Sequence, residues 1–102
     1  MTGRVKLQAV LEGICPRVYY QPPENLKLTY PCVVYTLSSM WTRHADSRTF
    51  ITKDRYQVTY ITKDPDTEVR KEILETLPGC SFDRAFVSDN LHHFVYEVYW
   101  KN

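Results

Sequence analysis

Glycine is scarce in this chain of 102 residues, which has only 3. That excludes a phosphate-cradling glycine loop, whose backbone must approach its ligand closely. No Gly-x-Ser-x-Gly elbow and no His-Glu-x-x-His pattern occurs either, so two common local signatures of hydrolases are missing. Long apolar runs are absent as well. No segment approaches the ~20 apolar residues that a membrane span needs. Met1-Thr2-Gly3-Arg4 leads into an amphipathic pattern, so neither a secretory signal nor a membrane partner is expected, and cytoplasmic synthesis is. An excess of either charge is also lacking: 13 basic and 12 acidic residues leave a net charge of +1. A dedicated nucleic-acid domain usually carries a strongly basic face. A charge this close to zero gives little protection against self-association. The 3 cysteines, Cys15, Cys32 and Cys80, form no Cys-x-x-Cys. They read as small buried hydrophobes in a reducing compartment, the alternative being one disulfide and a free thiol.

What is present favours strands. Apolar residues make up 43% of the chain, and Tyr occurs 8 times. Tyrosine suits half-buried sheet surfaces, with its ring packed and its hydroxyl wet. The length allows one domain with one modest core. Leu7, Val10, Leu11 and Ile14 form one apolar stripe and predict a first helix, with Thr2 as N-cap and Pro16 as stop. Val18-Tyr19-Tyr20 is a short extended piece. Strands are predicted over 30–40 and 50–62, where Tyr56, Val58 and Tyr60 alternate with polar residues. Both rows of the first of these strands are apolar, so each of its faces should be covered. Asp64 as N-cap and Pro65 at the first helical position open a second helix. Its stripe is Val69, Ile73 and Leu77, and Pro78-Gly79 ends it. Strands over 81–87 and 91–100 follow, joined tightly at Ser88-Asp89-Asn90. The expectation is an α+β fold: an antiparallel sheet of four to five strands, two helices packed on one face, and a long protruding hairpin.

Few constellations carry chemistry. His92 and His93 are strand neighbours and point to opposite faces, so they cannot share a metal. No other spacing suits a metal, and no cofactor or catalytic residue is predicted. The segment 41–49 is polar and aperiodic and reads as a mobile hairpin tip. Its Trp41, Arg43, His44 and Arg48 are candidates for an assembly or lumen-facing arm; two arginines alone are too few for a specific DNA reader. Asp83 and Arg84, in a strand, should face opposite ways. Each would pair across strands, sit in solvent, or contact a neighbouring subunit. The aromatics Tyr56, Tyr60, Phe82, Phe86, Phe94, Tyr96 and Trp100 suit core packing. The basic-Gly-aromatic strand of single-stranded RNA readers is absent.

One resemblance runs along nearly the whole chain. Lys6-Leu7-Gln8-Ala9-Val10-Leu11-Glu12, Tyr20-Gln21-Pro22-Pro23 and Tyr30-Pro31-Cys32-Val33-Val34-Tyr35 are similar to stretches of small proteins of long-tailed, siphovirus-like bacteriophages. So are the run Tyr56 to Asp66, Leu77-Pro78-Gly79-Cys80-Ser81-Phe82-Asp83-Arg84, and Val87 to His93. These are the tail completion, or head–tail joining, proteins. The resemblance implies a non-enzymatic virion protein that caps the head-proximal end of the tail tube as a hexameric ring. It implies as partners further copies of itself, the tail tube protein, the head completion or connector protein, and DNA passing without sequence specificity. Synthesis would be in the host bacterial cytoplasm and residence in the virion neck. The tail terminator, which limits tube length, is a sibling reading; a small nucleic-acid-binding module is one of another class.

Overall fold

The computed structural model describes residues 3–45 and 48–100, with the backbone alone at 43–45 and 49–52. Seven elements follow in order: α1 (Gly3–Ile14), β1 (Val18–Tyr20), β2 (Cys32–Ala45), β3 (Arg48–Thr62), α2 (Val69–Thr76), β4 (Cys80–Ser88) and β5 (Leu91–Trp100). The fold is α+β, with one five-stranded sheet in the order β1-β2-β3-β5-β4. No helix among the described residues is long and apolar enough to cross a membrane.

The two-residue alternation sets the core. Val33 and Tyr35 of β2 lie opposite Tyr60 and Val58 of β3. Tyr60, Val58 and Tyr56 lie opposite Phe94, Tyr96 and Val98 of β5. On this face Leu7 and Leu11 from α1 and Ile73 and Leu77 from the α2 region join the sheet residues in one buried cluster. Each fully buried side chain of this size contributes about 1.5–3 kcal/mol. Inside it the Tyr35 hydroxyl donates to Gln8 Oε1 at 2.5 Å and accepts from Arg4 at 3.2 Å, which ties α1 to β2. The opposite face carries a smaller cluster of Cys32, Ile61 and Leu91, against which Leu28 and Tyr30 pack. The 21–31 segment is therefore the second cover that β2 requires.

Four expectations need correction. The sheet is mixed rather than purely antiparallel: β1 runs parallel to β2, pairing Val18 with Val33 and Tyr20 with Tyr35. A parallel neighbour needs a crossover rather than a tight turn, and the 21–31 segment is that crossover. Its first residue, Gln21, prolongs the contact, with its N–H donating to Tyr35 O and its Oε1 accepting from Leu37 N–H. Next, the described residues of 41–49 are strand rather than loop. β2 and β3 stay paired through Trp41↔Lys53 and on to Ala45↔Arg48. Register shifts at Leu37/Ser39 and Trp41/Thr42 break the two-residue period by which the strand would have been recognised. Asp46 and Ser47 lie outside the described residues, as does the proposed cap Thr2.

The second helix, thirdly, begins at Val69 rather than Pro65. Short polar side chains take the backbone donors ahead of it. Thr62 Oγ1 accepts from Asp64 N–H, Asp64 Oδ1 from Asp66 N–H, and Thr67 Oγ1 from Val69 N–H. Such turns compete directly with helix. Glu68 sits at the cap position without a side-chain cap bond. The fourth correction concerns Phe82 and Phe86, which are exposed rather than core residues. The tight connection between β4 and β5 follows the sequence reading: Asp89 and Asn90 have φ of 53° and 62°, as a two-residue primed turn demands.

Candidate assembly surfaces

The outer strands of the sheet are β1 and β4, and beyond the short β1 the edge of β2 is open as well. On one side is β4, whose only strand neighbour among the described residues is β5. Every residue from Ser81 to Ser88 is exposed. Gly79, in the turn immediately before the strand, has φ of 71°. A bulge between Phe82 and Arg84 inserts Asp83 and removes the alternation expected of Asp83 and Arg84. The two do not face opposite ways as independent contacts; they pair with each other at 2.6 Å. Bulges and charges are common devices on edge strands.

Apolar side chains flank this pair on both faces. On the helix side Phe82 meets Tyr96 edge-on at 5.5 Å. Phe82, Phe94 and Tyr96 line a cleft of about 350 Å³ against Arg70, Lys71 and Leu74 of α2. The Tyr96 hydroxyl donates to Arg70 O at 2.8 Å, which holds α2 over the sheet. On the other face Phe86 stacks on His93, centroids 4.6 Å apart and 11° from parallel. The Arg84 guanidinium lies 5.9 Å from the same Phe86 ring. His92 pairs with Thr62 and His93 with Ile61 in the sheet register, so the two imidazoles do occupy opposite faces. Among the described residues no group of three or more His, Cys, Asp or Glu converges as metal ligands would.

The second edge belongs to β2. β1 covers only Val33 to Tyr35, and Gln21 adds its contact at Leu37. Beyond that point no strand lies on this side among the described residues. Leu37, Met40 and Trp41 are 39%, 51% and 53% exposed. Trp41, Lys53 and Tyr99 border a depression of about 270 Å³. Trp41, Arg43, His44 and Arg48 thus all sit on the paired β2–β3 ribbon. The side chains of Arg43 and His44 lie outside the described ones, and Arg48 is exposed. Trp41 on β2 and Asp83–Arg84 on β4 lie on opposite sides of one sheet, and Arg48 is on β3 between them in the strand order. Sequence reasoning missed Leu74, Phe82, Phe86 and Val87 as surface residues. The weak signal for them was the loss of period in Ser81-Phe82-Asp83-Arg84-Ala85-Phe86-Val87, as a bulged edge strand produces.

The thiols are free among the described residues. Burial pushes Cys32 and Cys80 up to about 11, so both are neutral at pH 7 and poor nucleophiles. Burial likewise raises the Tyr56 and Tyr96 hydroxyls to about 12. In an unfolded chain such groups titrate near ~8.5 and ~10. Above about pH 9 the unfolded chain therefore sheds protons that the folded chain retains, and folding stability falls as pH rises. Below that range these groups contribute fully. The expected result is a urea midpoint that declines between pH 9 and pH 11 (values chosen about these ranges). A flat or rising midpoint would contradict it.

A scan against protein-family models and a search of curated proteins each found no match.

Proposed function

We propose that this chain is a non-enzymatic structural protein of a long-tailed bacteriophage virion. It completes the head-proximal end of the tail tube and joins it to the head connector, as a hexameric ring around the DNA channel. The observation that carries this reading is the distribution of exposed apolar side chains. Leu37, Met40 and Trp41 lie on the β2 edge; Phe82, Phe86 and Val87 lie on the β4 edge, with Leu74 of α2 beside Phe82. A solitary domain has no use for two such edges. A subunit joined head to tail in a closed ring uses both. The extended resemblance to tail completion proteins supports the same role.

In this reading the β2–β3 ribbon is the protruding arm of the subunit. Its Trp41, Arg43, His44 and Arg48 reach a neighbour or face the lumen, where arginine contacts to passing phosphates carry no sequence information. The remaining partners are the tail tube protein on one side of the ring and the head completion protein on the other.

Electron microscopy of a lysate from phage lacking this gene tests the proposal. The expected result is DNA-filled heads beside separate, finished tails of normal length. Overlong tails would reassign the chain to tail termination. Intact infectious particles would overturn the structural reading and return attention to a nucleic-acid module.

A further inference from the structure

We infer that the two sheet edges bind each other between copies: β4 of one subunit pairs, antiparallel, with the outer edge of β2 in the next. This rests on the assembly reading only for closure into a ring. The pairing itself follows from strand direction, length, side-chain face and charge.

Direction comes from the register. β2 is antiparallel to β3, β3 to β5, and β5 to β4, so β4 runs opposite to β2. A second copy with its helices on the same face, displaced along the strands so that the part of its β2 beyond Leu37 comes level with β4, therefore presents β2 antiparallel to β4. That is the more stable arrangement of backbone bonds. The lengths agree as well. β4 spans Cys80–Ser88, and the stretch of β2 beyond the Gln21 contact at Leu37 spans 38–45.

The faces agree too. Leu37 lies opposite Tyr56, and Met40 opposite Asp54, on the helix side of the sheet. In the joined sheet they would meet Phe82, Ala85 and Val87 and the cleft beneath Leu74. On the other side the exposed Trp41 would come beside Phe86 and His93. Charge raises no obstacle. The run Leu37-Ser38-Ser39-Met40-Trp41-Thr42 has no charged residue, and Asp83 and Arg84 neutralise each other. A foreign strand would cover one edge and leave the other bare. A second copy, repeated, covers β4 and the open part of β2 in every subunit, so the occupant is this chain itself. Because the edges differ, the contact is heterologous, and it gives a ring where the rotation from copy to copy closes.

Disulfide trapping tests this. In a Cys80→Ser background, Met40→Cys is combined in turn with Asp83→Cys, Ala85→Cys and Val87→Cys, to span the neighbouring registers. Tails carrying each variant are oxidised and run on non-reducing gels; infectivity under reducing conditions shows that the variant folds. The expected result is a ladder beyond dimer for at least one double variant and no cross-link for any single variant. Dimers from a single β4 variant would show that like edges pair and would overturn the proposal. Absence of a cross-link from all three pairs, with the protein present on tails, would overturn it too. Absence of the protein from tails would instead count against the assembly reading. The same oxidation, on purified protein concentrated to about 0.5 mM, would then decide the pairing by the same bands.

Discussion

Tyr96→Ala is expected to lower the unfolding free energy by about 3–5 kcal/mol, the range for removing a large buried ring. Tyr96 is fully buried in β5. Its ring forms the floor of the α2–β4 cleft and packs edge-on against Phe82. Its hydroxyl bonds the Arg70 carbonyl at the start of α2. The substitution thus opens a cavity in the core and releases α2, which borders Phe82 of β4 on the helix side. Total stabilities of single domains lie near 5–15 kcal/mol, so a large share would be lost. Tyr96→Phe isolates the hydroxyl and should cost only about 0.5–1.5 kcal/mol. Urea denaturation of the three proteins decides the matter: the midpoint should fall steeply for alanine and slightly for phenylalanine, at unchanged slope. Equal losses would mean that the hydroxyl, not the ring, holds α2. A loss below about 1 kcal/mol for alanine would contradict the packing described.

Gly79→Val is expected to cost about 2–4 kcal/mol, from two effects that add. The backbone at Gly79 has φ of 71°, a region closed to β-branched residues. A Cβ there would also come within 3.0 Å of the Tyr99 carbonyl oxygen, a backbone atom of the neighbouring strand. Neither obstacle lies at the far end of a flexible side chain, so the start of β4 must shift to accommodate the substitution. Gly79→Asn should fall between wild type and valine, because asparagine tolerates this φ but still brings a Cβ. At about 4–8 °C per kcal/mol for a domain near this size, the valine variant should melt well below wild type. A valine variant within about 0.5 kcal/mol of wild type would show that this turn relaxes freely. Since Gly79 sets where β4 begins, its variants should also weaken assembly more than their stability alone accounts for.

The positions and types of most elements are legible in the residues. α1 appears in the stripe Leu7, Val10, Leu11 and Ile14, and β5 in the row Phe94, Tyr96, Val98 and Trp100 at two-residue spacing. The β4–β5 turn is written in Asp89-Asn90, two residues that tolerate positive φ. These signals are local: they depend on the period of the side chains and the conformational preferences of single residues.

Only the tertiary structure decided the rest. Whether β1 runs parallel or antiparallel to β2 depends on the path of the 21–31 segment across the sheet, and no residue within β1 encodes it. The extent of the β2–β3 ribbon was hidden because backbone pairing continues where side-chain alternation fails at two register shifts. The late start of α2 reflects competition for the same N–H donors, which helix and turn residues satisfy equally well. The candidate site was the least legible part. Trp41 could be named, as could Asp83 and Arg84, but not their places on opposite sides of one sheet. Phe82 and Phe86 look like core residues in any window of sequence. They are exposed because β4 is the last strand in the order, and strand order is set by which apolar faces fit together across the whole domain, not by the residues of the strand itself.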